Sequence, residues 1–237
     1  MNKVKEPLRN WLFQKIRLIT IVLAFPFVAY SQVANYVTNG GFELRYSCNQ
    51  PDDIGKAIGW RSIDSVSYGN CLYFSTCYTT VPYTGTGFQY PRGGNSFSGA
   101  DALCQPTMCS TSNSRGYLRN RLKANLQVGK TYCVRFHVNV TNYSSYGIDG
   151  YGAYFGDNTL DTITKINTPL IYLNPQIQNS NSNVITDTLN WSLITGTFTA
   201  SGNEKHLVIG NFKSDAATTK TLINPPFGPN VYSVFFC

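Results

Sequence analysis

The chain has 237 residues and a formal charge of +7, with charged side chains making up only 13% of it and aromatics 14%, including 16 Tyr. Together with abundant Gly, Asn, Ser and Thr, this composition excludes a helical bundle and a disordered tail, and it points to an exported all-β protein with many turns. The length suits one large all-β domain or two small ones.

The first thirty residues stand apart. Lys3, Lys5, Arg9, Lys15 and Arg17 form a basic head, and residues 18–30 form an apolar run broken only by Thr20 and Pro26. That run is shorter than the roughly 20 apolar residues a spanning helix needs. Ala29-Tyr30-Ser31 offers small residues for cleavage before Gln32, so residues 1–31 read as a secretory signal peptide, with an uncleaved anchor as the alternative. Cleavage leaves 14 basic against 11 acidic residues, a net charge of +3. The remaining chain, 32–237, is then expected to be secreted or held at the outer cell surface, without membrane insertion. Its only basic cluster, Arg115, Arg119, Arg121 and Lys123, reads as a solvated strand-and-turn surface. No basic stripe argues for nucleic acid.

Residues 33–44 suggest a short strand entering an Asn39-Gly40-Gly41 turn, with Phe42 inward and Glu43 outward. A polar loop over 46–56 leads to a strand at Gly59-Trp60, where Trp60 is expected to anchor the core. Residues 67–100 are rich in Gly, Tyr, Pro and Thr, with turn or extended-loop signals at Val81-Pro82-Tyr83 and Tyr90-Pro91-Arg92-Gly93-Gly94. Short strands are predicted over 95–102 and 117–126.

The clearest strand spans 129–140. Tyr132, Val134, Phe136, Val138 and Val140 alternate with Cys133, Arg135, His137 and Asn139, the period of a half-buried strand. Beyond it, 142–149 reads as a polar connection, 150–155 as a strand, 157–166 as ambiguous and 169–183 as a long Asn-rich loop. Residues 188–200 form a predicted strand, joined by a Ser201-Gly202-Asn203 turn to a hairpin partner over 206–212. Residues 213–230 read as loop and 231–236 as a final short strand. Eight to ten short strands without helical periodicity or internal repeat predict a single two-sheet antiparallel β-sandwich or jelly roll over 32–237.

Seven cysteines behind a signal peptide imply disulfides. Cys104 and Cys109 bracket a small loop suited to a local bridge, while Cys48, Cys71 and Cys77 compete for a second. The odd count leaves a thiol unpaired or paired between chains, and Cys133 is predicted to be a buried free thiol.

Several segments resemble one family. Asn39-Gly40-Gly41-Phe42-Glu43, Gly59-Trp60, Gly129-Lys130-Thr131-Tyr132 and Asn190-Trp191 through Gly196-Thr197-Phe198-Thr199-Ala200 resemble, in order, the motifs of the carbohydrate-binding-module 4/9-like, galactose-binding-like jelly rolls. Cys48, Tyr73-Phe74 with Cys77, Ile148-Asp149 with Tyr154-Phe155, and Leu207-Val208-Ile209-Gly210-Asn211-Phe212 resemble a secreted Bacteroidetes subgroup of surface proteins. The resemblance implies a jelly-roll fold and a non-catalytic module. It also implies a structural Ca²⁺ site with Glu43 and Asp101 as ligands; the alternative reading is Glu43 as a solvated or hydrogen-bonded turn residue. The closing segment around Val231-Tyr232-Ser233 departs from the family pattern, because it lacks an acidic pair.

No catalytic constellation is legible. There is no Gly-x-Ser-x-Gly, no phosphate loop and no zinc spacing. Cys133 and His137 share a strand face but sit roughly 13 Å apart at about 3.3 Å per residue. Glycoside hydrolysis needs carboxyl groups about 5–9.5 Å apart, and nothing recommends Asp149 with Asp157 or Asp101. Sugar recognition has better material, since it uses aromatic faces and a few fixed polar groups. The candidates are Tyr83, Tyr90, Arg92, Arg135, His137, Asn139, Tyr143, Tyr146 and Tyr151, with a polysaccharide or glycan as partner. The alternative is a structural or adhesive cell-envelope domain that binds a protein and no small ligand.

Overall fold

The computed structural model describes residues 34–48, 53–63, 71–77, 81–104, 113–163, 169–223 and 231–237. The predicted leader and the loop ending at Cys109 lie outside these residues. The strands are β1 (Trp60–Ser62), β2 (Cys71–Ser75), β3 (Tyr83–Thr84), β4 (Gly87–Phe88), β5 (Ser96–Cys104), β6 (Leu118–Arg121) and β7 (Thr131–Val140). They continue with β8 (Tyr146–Ile148), β9 (Tyr151–Gly156), β10 (Ile177–Gln178), β11 (Ser192–Thr199), β12 (His206–Asn211), β13 (Lys220–Leu222) and β14 (Val231–Phe236). Two short 3-10 turns, Ile54–Lys56 and Asn158–Thr162, are started by the carboxylates of Asp53 and Asp157.

Two five-stranded antiparallel sheets make a β-sandwich. The first has the order β1-β6-β12-β9-β10 and the second β11-β7-β14-β5-β2. The hydrophobic core draws from both: Trp60, Leu118, Leu207, Ile209, Tyr151, Ala153 and Phe155 from the first, and Ile194, Phe136, Val138, Val140, Val234, Phe236, Ala100 and Tyr73 from the second. The alternation in β7 is realised on its apolar side, with Phe136, Val138 and Val140 buried and Cys133 and Arg135 exposed. A minor pair, β8 with β13, falls where the sequence predicts only loops.

Long-range contacts override several local expectations. The short strand predicted ahead of the Asn39-Gly40-Gly41 turn does not form among residues 34–38, although the turn does. Asn39 replaces ladder bonds with its side chain, donating to the carbonyls of Leu44 (2.7 Å) and Ile58 (3.0 Å) and accepting from the Leu44 amide (2.8 Å). Phe42 adopts a left-handed φ of 62°, rare for a bulky residue. Its ring stacks 4.6 Å from Trp60, and its carbonyl accepts from the Tyr73 hydroxyl.

The predicted hairpin at 201–203 is instead a crossover. β11 pairs with β7 in one sheet, while β12 pairs with β6 and β9 in the other. The Glu204 carboxylate holds this corner by accepting from the amides of Ser201 and Gly202.

The basic cluster is only partly a solvated surface: Arg121 and Lys123 are exposed, but Arg115 is not. Arg115 is buried and ion-paired with Asp215, and it donates to the carbonyls of Asn113, Asn211 and Lys213. These acceptors meet the demand of a buried charge for partners.

Cys48 bonds to Cys77, and Cys71 is buried in the core. Cys133 is exposed, contrary to expectation, because it shares the outward face of β7 with Arg135.

Candidate functional site

Strand register determines what the outer face of the second sheet carries. Leu193 lies opposite His137 and Phe235 opposite both Asn139 and Gly99. Gly99 is in turn opposite Leu72, and Phe97 opposite Phe74. His137 and Cys237 exchange both backbone hydrogen bonds, at 2.8 and 3.0 Å, extending the pairing one residue past β14.

Phe74, Phe97 and Phe235 form a small second core on this outer face, against which Leu72, Val81 and Trp191 pack. An outer sheet face this apolar needs cover, and Val81 and Trp191 supply part of it, with residues 81–92 tied alongside. This segment is a strap folded on itself by the β3–β4 pair.

Four contacts fix the strap. The Asn142 side chain accepts from the Phe88 amide at 2.6 Å. Gln89 Nε2 donates to the Leu189 carbonyl, and the Tyr143 amide to the Thr86 carbonyl, both at 3.4 Å. The Trp191 indole donates to the Tyr90 carbonyl at 3.1 Å. Gly87, at φ +150°, allows the close approach: an added Cβ would meet Asn142 Oδ1 at 2.7 Å.

With one side occupied, the strap turns aromatics outward. The Tyr83 and Phe88 rings are 5.1 Å apart and those of Phe88 and Tyr90 5.3 Å, both edge-to-face. Tyr83 is 75% exposed and Tyr90 60%. Tyr143 is exposed next to the β3–β4 turn, and Leu189 and Leu193 border the row. Past Tyr90 the chain reaches Arg92, which is exposed and close enough to His137 to help depress its pKa. Burial is the larger cause of that shift. The Cys237 sulfur faces the amides of Arg92 and Gly93, and burial pushes this thiol up despite them. Arg135 lies exposed one strand repeat from His137, opposite Thr195.

Tyr83, Tyr90, Arg92, Arg135, His137 and Tyr143 therefore share one surface. The other candidates do not. Asn139 is enclosed, its Nδ2 donating to the carbonyls of Asp187 (3.2 Å) and Asn190 (3.0 Å), so it latches the 187–190 turn. Tyr151 is a core residue, its ring 6.4 Å from Phe236 and its hydroxyl pKa driven up by burial. Tyr146 belongs to the β8–β13 pair, beneath the Lys220 ammonium at 5.6 Å. Phe88 and Trp191 complete the surface and were not singled out as site residues. The Thr-Gly-Thr-Gly run before Phe88 was the available signal for a hairpin.

Glu43 and Asp101 do not fit one calcium ion. Both Glu43 oxygens accept from the Asn95 amide, at 2.9 and 3.0 Å, and Oε1 also accepts from Ser96 at 3.0 Å. Asp101 lies five residues further along β5, roughly 16 Å from Ser96, and calcium needs its oxygens within about 2.6 Å. No group of three or more His, Cys, Asp or Glu suited to a metal occurs among the described residues.

The candidate catalytic carboxylates are engaged elsewhere. Asp149 pairs with Lys213 at 2.9 Å, and Asp157 caps the 3-10 turn. His206 is buried and its Nε2 is 3.3 Å from Asp161 Oδ2, but not aligned for a hydrogen bond. No helix among the described residues is long and apolar enough to cross a membrane.

The fold and this surface define an antiparallel β-sandwich with an aromatic strap alongside one sheet. No protein-family model matches the chain, and no curated protein sequence is significantly similar to it. Among solved structures it is similar to cleaved adhesin domains of Lys-gingipain (Kgp). For the K1 domain from Porphyromonas gingivalis W83, identity is 14% and the TM-score 0.37, covering 76% of this chain and 87% of that one. For the K3 domain from the same organism the values are 12%, 0.40, 79% and 95%. For the K2 domain they are 11%, 0.41, 81% and 94%.

Proposed function

We propose that this chain is a non-catalytic, exported binding module whose ligand is a carbohydrate, held on the outer face of the second sheet. The observation that carries this reading is the pair of exposed rings Tyr83 and Tyr90, held either side of half-buried Phe88 and anchored by Trp191 beside the Phe74–Phe97–Phe235 cluster. Exposed aromatic rings on a fixed backbone offer flat apolar area with a polar rim, which suits the alternating C–H and hydroxyl faces of a sugar ring. Preorganisation of the strap lowers the ordering cost of binding. Arg92 and His137 supply hydroxyl contacts at one end of the row.

The test is calorimetry or affinity electrophoresis of the protein against a panel of polysaccharides. Binding to at least one, weakened about tenfold or more in Tyr90→Ala, supports the reading. Binding to none, or binding indifferent to Tyr83→Ala and Tyr90→Ala, refutes it.

A cell-envelope protein as partner is the second reading. It is favoured by Leu189, 72% exposed, and Leu193, 52% exposed, beside the row, because aliphatic side chains contribute more to a protein interface than to sugar stacking. Loss of envelope-protein crosslinking in Leu193→Asp with intact polysaccharide binding would assign the two partners to separate parts of the surface.

A further inference from the structure

The aromatic row ends in positive charge. Arg92 follows Tyr90 by two residues, and Tyr90 is tied to Trp191, two residues before the Leu193 that lies opposite His137. Arg135 projects from the same face of β7 as His137, about 7 Å further along the strand. Neither guanidinium is ion-paired with a carboxylate of a described residue; the ion pairs there involve Arg115, Arg119, His206 and Lys213.

The Glu43 and Asp187 carboxylates are engaged by backbone amides and not by either arginine. Glu43 is held by the Asn95 and Ser96 amides, and Asp187 accepts from the Leu189 and Asn190 amides. A pair of guanidinium groups that make no ion pair with a described residue, beside stacked aromatics, is complementary to a carboxylate carried on a sugar ring. Arg is suited to that geometry because its planar fork can donate two parallel bonds to one carboxylate.

We infer that the ligand of this surface is an acidic polysaccharide, a chain bearing uronic-acid carboxylates, with Tyr83, Phe88 and Tyr90 taking ring faces and Arg92 and Arg135 taking carboxylates. This rests on the carbohydrate reading above and narrows it to one substrate class. His137, on the same face of β7 as Arg135, is a further hydroxyl partner. A single-stranded nucleic acid also combines stacking faces with negative charge, so it is the competitor the test must include.

The experiment measures binding of the protein at about 0.15 M salt, where weak surface attraction is screened. The probes are polygalacturonate, alginate and hyaluronate, the carboxyl-reduced counterpart of each, and a single-stranded oligonucleotide. The expected result is binding of at least one acidic polymer about tenfold tighter than its reduced counterpart. Arg92→Gln and Arg135→Gln each remove most of that preference, weakening the acidic polymer far more than its reduced counterpart. Arg61→Gln, an exposed arginine on β1 of the other sheet, leaves the preference intact.

Equal binding of acidic and reduced polymers, or a preference unaffected by either arginine variant, overturns the inference while the carbohydrate reading stands. Oligonucleotide binding as tight as that of the best polysaccharide also overturns it. Binding of no acidic polymer, with Tyr90-dependent binding of a neutral polysaccharide, overturns the inference alone. Binding of no polysaccharide at all removes both.

Discussion

The indole N–H of Trp191 donates to the carbonyl of Tyr90 at 3.1 Å, joining residues 101 positions apart in sequence. The same indole ring sits edge-on to Phe97, 5.8 Å between centroids. Trp191 thus ties the strap to the second sheet, and the outward row of tyrosines depends on it.

Trp191→Phe is expected to keep most of the packing and lose the bond, destabilising the protein by about 1 kcal/mol. Urea denaturation measures that change. Amide exchange over residues 81–92 should accelerate by more than the global loss explains, because the strap opens locally. Uniform exchange changes throughout the sandwich would show that Trp191 supports the whole fold and not the strap.

Gly94 is expected to tolerate no side chain. Its φ is +71°, and a Cβ there would collide with the Glu43 carboxylate. Gly94→Ala should cost about 1–3 kcal/mol from the backbone alone and also displace Glu43 from the Asn95 and Ser96 amides. Glu43→Gln, which keeps the shape and removes the charge, should cost less, about 1 kcal/mol. Thermal unfolding of both variants orders them. A larger loss in Glu43→Gln would mean that charge, and not space, governs this corner.

Asp149 sets an acid limit on stability. Burial pushes its pKa up, but Lys213 and hydrogen bonds from Ser182 and Thr219 outweigh that and hold it below its ordinary value of 3.8. A carboxylate with a depressed folded pKa contributes stability that is fully present above the unfolded value and lost as pH falls through the folded one. Unfolding free energy should therefore drop below about pH 4, and the slope should shrink in Asp149→Asn. Asp149→Ala strands the half-buried Lys213 ammonium and should cost about 3 kcal/mol at neutral pH. An unchanged acid slope in Asp149→Asn would assign the acid limit to other carboxylates.

The Cys48–Cys77 bond closes a loop with a sequence separation of 29 residues. Loop-closure entropy alone gives such a link about 3–4 kcal/mol. Cys48→Ser with Cys77→Ser should lower stability by about that amount, while exposed Cys133 should react with a maleimide in the native state of either form. Denaturation curves that coincide with and without the bond would show that it restrains only a local loop.

Much of the sandwich is legible in local pattern, and the candidate surface only partly. The alternation of Val134, Phe136, Val138 and Val140 announces β7 and its buried side, and Trp60 is the core anchor its size suggests. The same alternation sends Asn139 outward, yet the 187–190 turn folds over it and takes up both bonds of its Nδ2. Tyr83, Tyr90 and Tyr151 are alike as sequence. Two stand exposed on the strap, whereas Tyr151 opens β9 between β12 and β10 and enters the core.

The sequence by itself determined that this is an all-β protein, where its strongest strands run and which of their faces are apolar. Those properties follow from a two-residue period and turn chemistry, which neighbouring residues set among themselves. Tertiary structure alone decided that the chain crosses between sheets after β11, that the final strand β14 enters the middle of the second sheet between β7 and β5, and that residues 81–92 are tied alongside an apolar outer face. Those outcomes depend on which distant strand or ring completes a ladder or buries an exposed aromatic, and such pairings are chosen by the free energy of the whole packed chain.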